Sequence, residues 1–120
     1  MLHDWNAYLA ELTKAIPEFA KLSPDSLKGY KTLSAANAAN SLLGAKVREL
    51  ISLAVAVTTR CDGCITFHTD AALKAGASKE EIAEALGVAM AMNAGAALIY
   101  SLRALDSVDQ HSAVAHSAKP

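Results

Sequence analysis

Apolar residues recur along most of this chain at three- and four-residue intervals, the period of a helix with one buried face. Trp5, Tyr8, Leu9, Leu12, Ile16 and Phe19 form one such face, and Asp4 before them has the side chain of an N-cap. Ser23 followed by Pro24 suits an N-cap and first helical residue. A second helix is therefore predicted from there toward Leu42 or Leu43, with Gly44 as its stop. A third runs from Ala45 to about Thr58. Its LISLAVAV stretch is apolar all round, which predicts a central position. Thr58 to Asp62 reads as a short corner. A fourth helix then spans about Gly63 to Lys74, ended by Gly76. Ser78 and Glu81 make a capping box. The fifth helix they open reaches Met92, and a sixth covers Ala96 to about Leu105, with a break at Asn93-Ala94-Gly95. Residues 109–120 carry no periodic face and are expected to form a loose tail. No strand alternation, internal repeat or linker competes. The expectation is a single all-α domain over residues 1–108, a compact bundle of about six helices.

Composition narrows the picture. A chain of 120 residues suits one domain with one core. At 52% hydrophobic and 19% charged it is globular rather than disordered. Aromatics are only 5%, so the apolar mass is Ala, Leu, Val and Ile, which suits close helix packing. The net charge is -1 and the basic residues are scattered, without the basic stripe that nucleic acid requires. Ala85–Leu102 is nearly uncharged and approaches the ~20 residues of a membrane span. Asn93, Gly95 and Ser101 interrupt it, and it reads as two buried helical pieces, not a membrane segment. The segment MLHDWNAYLAELTKAI lacks the basic start and apolar run of a secretory signal. The two cysteines stand three apart rather than spread as a disulfide framework. A cytoplasmic protein is expected, in which a close cysteine pair points to redox or metal work.

The chemistry concentrates in Arg60-Cys61-Asp62-Gly63-Cys64-Ile65-Thr66-Phe67-His68. Three-residue spacing at a helix start brings two sulfurs within bonding reach. The helix N-terminus and the Arg60 cation favour a thiolate there. His68 lies four residues after Cys64 and so shares its helix face, where an imidazole can take or return the thiol proton. Glu49 has Leu53 and Ala56 as same-face neighbours, which places a carboxylate against packed surface and calls for a partner. In an antiparallel hairpin of the third and fourth helices, Glu49 lies about 13 Å from the corner and His68 about 9 Å, an offset that side chains span. Three readings stay open on the residues alone. A thiol peroxidase needs a cysteine that becomes a sulfenic acid and a second that resolves it. A zinc site would take Cys61, Cys64 and His68, with Glu49 as a possible fourth ligand. A non-catalytic helical oligomer would use the cysteines structurally or as sensors.

Glu49, Cys61 twelve residues on, Cys64 and His68 together resemble the core motif of the alkylhydroperoxidase D-like branch of the carboxymuconolactone decarboxylase family. The flanks agree: AKVRELISLAVAVTTRCDGCITFHTDAALKAGASKEEIAEAL is similar to that family, and the Gly-Ala-Ala-Leu-Ile-Tyr segment extends the likeness. The resemblance implies an all-helical alkylhydroperoxidase D-like fold, a homotrimer or homohexamer, and a peroxide-reducing thiol pair; no cofactor and no metal is expected. It assigns Cys64 as the attacking cysteine, Cys61 as the resolving one that meets a dithiol or protein reductant, and His68 with Glu49 as a proton relay. Generic redox reasoning gives the reverse order of cysteines. The two-repeat enzymes of that branch carry a further His directly before the second cysteine, where this chain has Gly63. The lactone decarboxylases of the family lack the cysteine pair, so decarboxylation is the weaker expectation.

Overall fold

A computed structural model describes residues 2–36, 38 and 41–117, which are mostly helical and include no strand. Among the described residues there are five α-helices: α1 (Trp5–Leu22), α2 (Pro24–Ala35), α3 (Gly44–Thr59), α4 (Asp62–Lys74) and α5 (Lys79–Ser117). The all-α expectation holds, and most predicted ends lie where local chemistry puts them. The Asp4 carboxylate accepts the Ala7 N–H at 3.1 Å and caps α1. Ser78 and Glu81 exchange two bonds of 3.0 Å, Glu81 N–H to Ser78 Oγ and Ser78 N–H to Glu81 Oε1. Gly76, at φ 87°, ends α4 in the left-handed conformation that glycine adopts without steric cost.

The structure corrects two boundaries and extends a third. α2 stops at Ala35, because Ala36 is extended (φ -57°, ψ 138°). Every described side chain from Lys28 to Ala36 is exposed, so no packing sustains a longer helix. The stretch between Ala36 and Ser41 lies largely outside the described residues. Gly44 (φ 79°) opens α3 instead of ending α2. The predicted fifth and sixth helices are one. Asn93 does not cap but bonds back along the helix, Nδ2 to the Ala89 carbonyl at 2.7 Å, and Gly95 costs a helix only about 1 kcal/mol relative to Ala. With no proline between Lys79 and Ser117, nothing forces a break. The expected loose tail is helical as far as Ser117, and Gln110 bonds Asp106 one turn back at 3.0 Å; residues 118–120 lie outside the described residues.

α3 is central: it packs on α4 and on α5, while α1 packs on α4 and carries α2. The core joins Leu53 of α3, Ala72 of α4 and Ala77, with Leu50 and Ile82 partly buried against them. Lys46 near the start of α3 binds Glu81 at 2.8 Å and ties the two helix starts together. That bond, with the Ser78 N–H, holds the Glu81 carboxyl below the usual carboxylate range.

Much apolar surface remains uncovered. On α3, Val47, Ile51 and Val55 form a stripe opposite the core face. On α5, the described side chains from Ala96 onward are all exposed, among them Leu98, Leu102 and Leu105. At 39 residues α5 is about 58 Å long, and the molecule measures 69 × 39 × 37 Å. By length and composition alone α5 qualifies as a membrane span, with a mean hydropathy of 1.6 over its most apolar stretch. α5 packs along one side on α3, with Ala89 buried, but most side chains from Lys79 to Ala96 are exposed, so the expectation of two buried pieces does not hold.

Candidate functional site

The corner between α3 and α4 takes only two residues. Arg60 adopts a left-handed conformation (φ 53°, ψ 50°) and Cys61 an extended one (φ -104°, ψ 97°), which reverses the chain directly from one helix into the next. The Cys61 N–H closes the end of α3 on the Ala56 carbonyl at 3.1 Å. Cys61 is then the N-cap of α4: its Sγ accepts the Cys64 N–H at 3.1 Å, and its carbonyl accepts the Ile65 N–H at 2.9 Å. A sulfur so placed has a backbone donor and the positive end of the α4 dipole beside it, both of which favour its anionic form. Cys61 and Cys64 are bonded as a disulfide across this first turn, their Cα atoms 5.2 Å apart. Both cysteines are half-buried.

One turn beyond Cys64, on the same face of α4, His68 points at α3. Its Nδ1 lies 2.6 Å from Glu49 Oε2. Glu49 sits one turn before the buried Leu53 on the α3 face that meets α4. The hairpin thus brings together the two residues, 19 apart in sequence, that helix arithmetic placed at similar depth. In the tautomer that donates from Nδ1 to the carboxylate, Nε2 is the free ring nitrogen. The side chains are 32% and 24% exposed, so the pair is sheltered yet reachable by solvent. Among the described residues no three His, Cys, Asp or Glu side chains are grouped as a metal would require.

The opposite face of α4 meets α1. A side chain at Gly63 would begin 3.2 Å from Leu12 Cδ1 and 3.9 Å from Tyr8 Oη. A larger residue between the cysteines would therefore press on the Leu12 side chain of α1, which would have to give by a few tenths of an ångström. Thr66, buried, donates its hydroxyl to the Trp5 carbonyl at 3.2 Å and pins the start of α1 to α4. Trp5, Tyr8 and His3 stack edge to face beside it, with centroids 4.7–6.5 Å apart. The apolar stripe Tyr8–Leu12 was legible as a helix face, but nothing local said which helix it covers.

Comparison with known proteins identifies the family and the fold. The model of the carboxymuconolactone decarboxylase family matches residues 24–107. An uncharacterised protein of Haemophilus influenzae is 50% identical over 107 residues, covering 89% of this chain and 95% of that protein. An uncharacterised protein encoded in the cox locus of Paracoccus denitrificans is 32% identical over 102 residues, covering 85% and 92%. Among solved structures, a carboxymuconolactone decarboxylase family protein of Legionella pneumophila superposes with a TM-score of 0.69 at 33% identity, covering 88% of this chain and 95% of its own.

Proposed function

The chain belongs to the carboxymuconolactone decarboxylase family, and on that premise we propose that it is a thiol-dependent hydroperoxide reductase of the alkylhydroperoxidase D-like kind. The observation that carries the reading is the Glu49–His68 pair at 2.6 Å, set on the same face of α4 as Cys64 and one turn from it. Cys64 is the attacking thiol. His68 Nε2 takes its proton, and the Glu49 carboxylate holds the ring and offsets the positive charge that forms. The thiolate attacks the distal peroxide oxygen. The O–O bond breaks, the alkoxide leaves with a proton as the alcohol, and Cys64 becomes a sulfenic acid. Cys61, its sulfur facing the Cys64 N–H, then attacks that sulfenic sulfur; the S–O bond breaks, and the hydroxyl leaves as water with the proton given up by the Cys61 thiol, forming the disulfide. An external dithiol then reduces the bond. When it attacks Cys61, Cys64 is the leaving group and His68 returns its proton.

The same reading makes the protein a cytoplasmic homo-oligomer, a trimer or hexamer. Exposed Leu98, Leu102 and Leu105 on α5 and Val47, Ile51 and Val55 on α3 support it, since contiguous apolar surface of that extent is uncommon on monomers. The test of the function is sulfenic-acid trapping after one equivalent of peroxide. Cys61→Ser should trap one adduct on Cys64, and Cys64→Ser should trap none and consume no peroxide. An adduct on Cys61 alone reverses the roles. No adduct in either variant, with peroxide consumption no faster than by free thiol, overturns the peroxidase reading.

A further inference from the structure

We infer that the groove beside Arg60 is a binding site for an organic carboxylate, so that the preferred hydroperoxide carries an anionic group on an apolar body. The substrate part of this inference rests on the peroxidase reading, whereas the binding part does not. The groove has a volume of about 400 Å³ and lies between the end of α3 and the middle of α5, lined by Val57, Thr58, Arg60, Met90 and Asn93. Its wall adjoins the redox corner, since Arg60 directly precedes Cys61.

Arg60 is the first reason. It is the one non-glycine residue at positive φ among the described residues. An L-residue in that conformation costs about 1–2 kcal/mol, and glycine would close α3 without that cost. A strained backbone position next to reactive groups points to a side chain kept for its chemistry. The guanidinium makes no ion pair among the described residues, although Asp62 is two positions away.

The hydrogen-bonding inventory of the groove is the second reason. The Thr58 hydroxyl is committed to the Val55 carbonyl at 2.7 Å. Asn93 spends one of its two amide hydrogens on the Ala89 carbonyl at 2.7 Å. The donors left are the five N–H groups of Arg60 and the second N–H of Asn93. No carboxylate lines the groove, and Val57 and Met90 supply apolar wall. A planar anion with an apolar body matches this surface: the guanidinium fork takes a carboxylate through two parallel bonds, while the body lies on Val57 and Met90. A cation would meet Arg60 unfavourably, and a neutral alcohol would leave most of those donors to water.

The test uses the full-length oxidised protein and redox-inert probes, hexanoate and hexan-1-ol, titrated while backbone amides are followed by NMR. Hexanoate should shift the amides of Arg60, Met90 and Asn93 saturably, with hexan-1-ol about tenfold weaker, as a charge-assisted pair at a partly exposed site provides. Arg60→Gly suits the left-handed position, so it should melt no lower than wild type and lose the preference for hexanoate. Arg60→Lys should keep part of it. Equal binding of the two probes, or a preference unchanged in Arg60→Gly, overturns the inference. In turnover, the ratio of kcat/KM for a fatty-acid hydroperoxide to that for tert-butyl hydroperoxide should fall about tenfold in Arg60→Gly. If the wild type turns over neither peroxide yet binds hexanoate through Arg60, the peroxidase reading fails and the carboxylate site stands.

Discussion

Replacing Glu49 by Gln separates the two halves of the relay. The substitution keeps the length and shape of the side chain, and its amide oxygen can still accept the His68 Nδ1 proton. What disappears is the negative charge 2.6 Å from the ring. In the proposed step His68 becomes an imidazolium as it takes the Cys64 proton, and the carboxylate stabilises that state more than the resting one. A hydrogen bond to a charged group contributes about 1.5–3 kcal/mol. With side chains 24% and 32% exposed, water screens part of that interaction, so the lower end applies. A loss of about 1.5 kcal/mol in the transition state slows the step by roughly tenfold. Removing the base itself, as in His68→Ala, should cost about 10²–10⁴-fold. The assay is stopped-flow reaction of the pre-reduced protein with one equivalent of peroxide, read as thiol loss. A Glu49→Gln rate within twofold of wild type would refute the charge argument. A rate as low as that of His68→Ala would show that Glu49 is needed for more than support of the ring.

The structure also gives expectations for acid stability and assembly. Because Lys46 and the Ser78 N–H hold Glu81 below the usual carboxylate range, the folded protein keeps Glu81 ionised where the unfolded chain would protonate it. The stabilisation is therefore present above the ordinary glutamate pKa and is lost as pH falls through the lower folded value. Thermal melts should show wild type above Glu81→Gln at pH 7, with the gap closing in acid; a gap constant with pH would contradict this account. For assembly, a Leu98→Lys/Leu105→Lys double variant should shift light-scattering mass toward smaller species, since each buried leucine contributes about 1.5–3 kcal/mol. Wild type running as a monomer at micromolar concentration would refute the oligomer.

What was legible in the sequence and what was not divides along one physical line, the distance over which a feature is decided. Asp4, the Ser78–Glu81 box and Gly76 mark helix ends through bonds made within one or two turns, and all three act where the pattern put them. The Glu49–His68 contact spans two helices, yet a corner of two residues fixes their phase, so rise per residue was enough to bring them level. The failures involve surfaces with no local partner. α2 was expected to run on because its pattern permits a helix, but no neighbour covers its later turns. α5 was divided at Asn93 and Gly95 because both are poor helix residues, a cost of about 1 kcal/mol that a long Ala-rich helix absorbs. Gly63 shows the limit most clearly, because its meaning lies in Leu12, 51 positions earlier. The candidate redox groups are thus all contained in the α3–α4 hairpin, whose geometry is set locally. The apolar stripes on α3 and α5, and the groove at Arg60, depend on what packs or binds there from outside. A change in the hairpin should therefore alter the chemistry itself, whereas a change on those outer surfaces should alter which molecules reach it.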